Sequence, residues 1–139
     1  MTTTGLTPTQ AQHVVSFELP LPPSELMPND AMGKRWESYN AVKTKYSNDC
    51  FALCKSARVE WQKRGGVVPL RPLVTMVLTF VLPSQRRRDG DGLLSAFKSG
   101  IDAMVAAKLL EDDSIWKLRI ALEGELGPAS VRVRLEGAP

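Results

Sequence analysis

The chain has 139 residues, enough for one domain with a real core and too few for two domains of ordinary size. Its 43% hydrophobic and 24% charged residues are those of a soluble globular protein, a composition that excludes little else. A formal charge of +3 is mildly basic, which admits a nucleic-acid partner without requiring one.

Residues 1–12 are polar and threonine-rich, with no apolar stretch of the kind a signal peptide carries. They read as a loose tail ahead of a single domain over 13–139, and the expected location is the cytoplasm. Val15, Phe17 and Leu19 alternate with Ser16 and Glu18, which predicts a first strand over His13–Leu19. Pro20-Leu21-Pro22-Pro23-Ser24 cannot continue a ladder, so a loop follows to about Trp36. A long helix is expected from about Ser38 or Asn40 to Arg64. Val42, Tyr46, Cys50, Leu53, Cys54, Ala57 and Trp61 form its apolar stripe, and Gly65-Gly66 ends it. Phe51 lies opposite that stripe. Cys50 and Cys54 share a helix face but have no third soft ligand near them, since the lone His13 lies far off. They read as small core residues in a reducing compartment, not as a zinc site.

Leu73–Leu82 is the expected central strand and is too short to cross a membrane. A second helix is expected over Gly92–Ala107, with Leu94, Phe97, Ile101, Met104 and Val105 on its buried side. Two half-buried strands, near Ile115–Glu123 and Ser130–Glu136, close the chain around a turn at Gly124–Pro128. The order β-α-β-α-β-β predicts an α+β (mixed α/β) fold, a mixed sheet with two helices packed on it.

Charges of each sign are gathered in patches. Arg86, Arg87 and Arg88 stand together, and Glu111, Asp112 and Asp113 form an opposite cluster. Asp89 and Asp91, separated by one glycine, can turn two hard oxygen donors toward one point, as Mg²⁺ or Mn²⁺ prefers. The adjacent arginines suit a phosphodiester. The same loop is also what a solvated turn looks like, with Asp91 capping the helix. Asp112-Asp113 reads either as a polar turn before a strand or as the source of a third carboxylate for the same ion. Lys98 follows Asp91 by about two turns at ~1.5 Å per residue and leans back toward the acidic end. There it can hold a phosphate or stabilise a leaving oxygen. Its other role is an i,i+4 surface pair with Asp102.

Taken together, Arg87-Arg88-Asp89-Gly90-Asp91, Lys98, Asp102-Ala103-Met104 and Asp112-Asp113-Ser114 resemble the RusA-type crossover-junction endodeoxyribonucleases. Leu21-Pro22-Pro23, Pro28-Asn29 and Arg35-Trp36 are similar to that family's N-terminal loop, so the resemblance runs from about Phe17 to Leu122. It implies a metal site of Asp89, Asp91 and Asp113, with Lys98 as the essential basic residue and Mg²⁺ (or Mn²⁺) as cofactor. It also implies a homodimer that nicks four-way (Holliday) or branched DNA symmetrically, often in a phage setting. Arg86, Arg87 and Arg88, with Lys34 and Arg35, would contact the DNA backbone. Two departures stand out: Gly92 occupies the place of a usual asparagine, and three extra residues separate Asp91 from Lys98, whereas the spacing from Lys98 to Asp113 is kept. The alternative is a catalytically inactive, structure-selective DNA-binding homodimer of the same fold. Whether Asp113 reaches Asp91 within one chain depends on how the connection after the second helix returns.

Overall fold

The computed structural model describes residues 13–27, 36–84, 90–114 and 116–137. Strand β1 (Val14–Leu19) leads through a 3-10 turn (Ser24–Leu26) to helix α1 (Trp36–Lys63) and strand β2 (Val74–Leu82). Helices α2 (Gly90–Ala96) and α3 (Lys98–Ala106) follow, then strands β3 (Leu118–Leu126) and β4 (Ser130–Glu136). The strands form one mixed sheet in the order β1-β4-β2-β3. β4 runs antiparallel to both β1 and β2, and β3 runs parallel to β2. The α+β architecture read from the hydrophobic periodicity is the one observed.

β3 and β4 follow one another in sequence but lie on opposite sides of β2. The short link between them therefore crosses the end of β2. There the Gly127 N–H donates to the Leu82 carbonyl at 2.9 Å, and a Cβ at Gly127 would stand 2.9 Å from Val81 Cγ1. Only glycine passes that closely.

The register aligns apolar side chains in rows. Phe17, Val133, Leu78 and Leu122 make one row across the sheet, and Val15, Leu135, Met76 and Ile120 the next. This face carries the helices. Met76, Leu78, Val133 and Leu135 are buried in one core with Cys50, Cys54, Phe97 and Met104. Each such side chain contributes about 1.5–3 kcal/mol relative to an exposed one. Phe80 meets Phe97 edge to face, with centroids 6.0 Å apart. The Tyr46 hydroxyl donates to the Pro20 carbonyl at 2.6 Å and ties α1 to the proline-rich loop. On the opposite face Ser16, Glu18, Arg119, Glu123, Arg132 and Arg134 are exposed. Cover over the helix-bearing face stops short of the β3 edge: Leu118 is buried, but Ile120 is 38% and Leu126 54% exposed.

Several boundaries and positions differ from the sequence reading, among them the end of β3, which runs to Leu126 through the start of the expected turn, and the start of the second helical segment, at Gly90. α1 begins at Trp36, earlier than Ser38. Leu53, assigned to its buried stripe, is 43% exposed, and the buried contact of α1 runs along Tyr46, Cys50, Cys54 and Trp61. β3 starts at Leu118 and not at Ile115, because its length is set by pairing with all of β2, from Val74↔Leu118 to Leu82↔Leu126. The expected helix Gly92–Ala107 is two helices, broken at Phe97, whose N–H bonds to both the Leu93 and Leu94 carbonyls. The fully buried Phe97 ring lies over Gly100, where a Cβ would come within 2.5 Å of it. No helix among the described residues is long and apolar enough to cross a membrane.

Candidate functional site

The site is organised by how the chain leaves α3. Lys108 adopts a left-handed conformation (φ 70°). Its N–H donates to the Val105 carbonyl, and that of Leu109 donates to the Met104 carbonyl, each at 3.0 Å. This double closure is the usual glycine-dependent helix terminator, here built on lysine. Leu109 and Leu110 then turn into the core, at 0% and 2% exposure, and anchor the reversal. The following residues run back along α3 and deliver Asp113 to its first turn.

There the Lys98 ammonium donates to Asp113 Oδ2 at 2.6 Å and to Asp102 Oδ1 at 3.2 Å. The hydrogen bond to Asp113 raises the Lys98 pKa, against desolvation and with further support from Asp102. Reciprocally, the Lys98 hydrogen bond holds Asp113 below the usual carboxylate range. Both side chains remain substantially in contact with solvent, at 58% and 40% exposure. Ionised at neutral pH and open to solvent, they form a charged pair at the surface, not a buried structural bridge.

The neighbouring acids are held differently. Asp112 Oδ1 accepts the Ser114 N–H at 2.9 Å, and that bond lowers its pKa. Lys117 donates to Glu111 Oε1 at 2.5 Å and lies 3.4 Å from Asp112 Oδ2. The Glu111 hydrogen bond raises the Lys117 pKa. Asp112 is thus occupied by the turn leading into β3, while Asp113 faces α3.

Asp113, Lys98, Leu94, Ser95, Ile101 and Ile120 line a cavity of about 300 Å³. Leu94 and Ser95, which belong to α2, follow its second residue, Asp91, by three and four positions. The connection after α3 therefore returns to the α2–α3 edge within a single chain. A second cavity, of about 350 Å³, lies on the other side of Lys98 and includes Tyr39 and Lys43 of α1. These two residues were not among the sequence candidates. Their i,i+4 spacing is a signal, but nothing in the sequence ties that stretch of α1 to Lys98.

Of the sequence candidates, Lys98 and Asp113 are brought together. Asp89, Arg86, Arg87, Arg88, Lys34 and Arg35 lie outside the described residues, as does the side chain of Asp91. Among the described residues, no three His, Cys, Asp or Glu side chains converge as a metal ion requires. Cys50 and Cys54 are buried and free, with burial pushing their thiols up to about 11 and about 12. No known protein-family model matches the chain, and no curated protein matches it.

Proposed function

We propose that the chain is a metal-dependent endonuclease that hydrolyses phosphodiester bonds in four-way (Holliday) or branched DNA by paired symmetric nicks, the activity that its resemblance to the RusA type implies. The observation that carries this reading is the return of Asp113 to Lys98, 2.6 Å apart, beside a cavity whose opposite wall begins one turn after Asp91. Such a nuclease needs an accessible carboxylate and an ammonium side by side, close to a second carboxylate.

The donor chemistry suits Mg²⁺ or Mn²⁺: Asp113 offers an ionised, accessible, hard oxygen, and Asp89 and Asp91 would complete the ligand set. When bound, the divalent ion supplies Lewis acidity and a lowered pKa for water. With the Asp113 carboxylate engaged as a ligand, the Lys98 ammonium, which also donates to Asp102, would be free to turn toward a phosphate or leaving oxygen. Arg86, Arg87, Arg88, Lys34 and Arg35 would grip the flanking backbone. A homodimer in the cytoplasm of a bacterial or phage-infected cell would pair the two nicks.

A second reading, an inactive structure-selective DNA-binding homodimer, is favoured by two observations. Lys98 already neutralises Asp113, and Gly92 leaves no amide beside Asp91. Asp91→Asn separates the two readings. The nuclease is expected to lose cleavage and keep junction binding, whereas a binding module shows no cleavage to lose. Loss of binding and cleavage together in a folded variant would count against the role given to Asp91.

A further inference from the structure

We propose that the outer edge of β3 is where a second copy of this chain adds, antiparallel, about a two-fold axis at Ala121. β3 is an edge strand of nine residues, paired with β2 on one side only among the described residues. It has no proline and no break in its register, and beyond the buried Leu118 its helix-side face is apolar and partly open, with Ile120, Leu122 and Leu126 38%, 40% and 54% exposed. Edges of soluble proteins usually carry protection against pairing; among the described residues this one has no proline and no bulge, and its charges, Arg119, Glu123 and Glu125, are of both signs and so can pair across a two-fold axis.

The sequence of the edge is complementary to itself. Centring an antiparallel pair on Ala121 sets Ile120 opposite Leu122 of the second copy, and Arg119 opposite Glu123, each pair occurring twice. The smallest side chain of the strand apart from glycine falls on the axis. Continued by one step beyond β3, the same register brings Trp116, 82% exposed, opposite Leu126, 54% exposed. The most exposed large apolar side chains of this edge thus cover one another. On the polar face Arg119 has no ion-pair partner among the described residues. Glu123 is steadied by the Thr79 hydroxyl, which donates to Oε1 at 3.2 Å. Glu125 is already paired with Arg132, which disfavours the neighbouring register that would use it.

A shift by a single residue would turn the apolar row of one copy against the charged row of the other, so the pairing is specified. Because the axis is perpendicular to the sheet, both helix layers lie on one face of a continuous eight-stranded sheet, and so do both Lys98–Asp113 pairs. The inference gives the homodimer of the proposed function a surface, but it uses none of the catalytic residues and stands or falls without them.

The test is the mass of the full chain by light scattering after gel filtration, and its dimer Kd by sedimentation, without DNA or divalent metal. The wild type is expected at twice the 15.3 kDa chain mass. Arg119→Glu, which sets acid against acid at both symmetric positions, is expected to weaken the dimer about tenfold or more. The double variant Arg119→Glu with Glu123→Arg is expected to restore it, with circular dichroism confirming that every variant is folded. A wild type that stays monomeric through the micromolar range, a dimer indifferent to Arg119→Glu, or a folded double variant that does not recover would each overturn the proposal. Because no nuclease step is read, a failed dimer is distinguishable from a failed nuclease.

Discussion

Lys98 Nζ and Asp113 Oδ2 stand 2.6 Å apart across fifteen residues of chain, joined by a left-handed turn at a lysine. The Lys98–Asp102 bond is a routine contact between successive helical turns, whereas the Asp113 bond depends on the whole reversal from Ala107 to Ser114. That dependence makes the geometry of the site a property of tertiary structure.

Lys108 carries a side chain where helix terminators favour glycine. The left-handed conformation costs an L residue about 1–2 kcal/mol, part of which glycine gives back as chain entropy. Lys108→Gly is therefore expected to stabilise the fold by about 1 kcal/mol and to raise Tm by a few degrees, measured by thermal denaturation. A lower Tm would mean that the turn is not left-handed.

Gly100 predicts the opposite of what helix propensity alone does. In an ordinary helix interior, Gly→Ala stabilises by about 1 kcal/mol. Here the new methyl would lie 2.5 Å from the buried Phe97 ring. Overpacking of this kind costs about 1–3 kcal/mol, so Gly100→Ala is expected to destabilise the fold in a urea titration. A clear gain in stability would show that Phe97 does not pack over Gly100.

Cys50 and Cys54 are expected to resist a disulfide thiol reagent at pH 8 in the folded protein and to react after unfolding. Burial is the largest cause of their raised pKa values, about 11 and about 12 against an ordinary 9.0. For a thiol the raised folded pKa means that the neutral form is favoured. The associated stability is fully present below pH 9 and is lost as pH rises through those two values. Rapid labelling of both thiols under native conditions would contradict their burial.

Much of the frame was legible in the sequence because it follows local periodicity. Alternation marked β1 and β4, a nearly continuous apolar run marked β2, and the spacing from Tyr46 to Trp61 marked α1. Other features depend on contacts that no local window contains. The limits of β3 follow its pairing with β2, the break at Phe97 accompanies a ring seated on Gly100, and the exposure of Leu53 depends on how α1 packs. For the site, the pairing of Lys98 with Asp102 was visible at i,i+4. The direct contact of Lys98 with Asp113 was not expected: the family resemblance put Asp113 with Asp89 and Asp91 around a metal, and Lys108 carries no glycine signal for the turn that brings it to Lys98. Tyr39 and Lys43 escaped notice because their approach to Lys98 is set by the packing of α1 on α3.

Lys98 is given a role in the chemistry beyond its ion pairs. Lys98→Ala is expected to lower junction cleavage by about 10²–10³-fold, the usual effect of removing one transition-state donor, while leaving junction affinity nearly unchanged. Because its partners are exposed, stability should fall by no more than about 1 kcal/mol. Single-turnover cleavage, gel-shift binding and thermal denaturation on one preparation separate these effects. Full activity in Lys98→Ala would remove the lysine from the mechanism.

The most direct measurement is cleavage of a labelled four-way junction with a mobile core, in Mg²⁺ and in EDTA, beside a linear duplex of the same sequence. The account predicts paired nicks in opposing strands, dependent on the metal and absent from the duplex. Tight junction binding without nicks in either Mg²⁺ or Mn²⁺ would contradict it and leave a structure-selective binding protein.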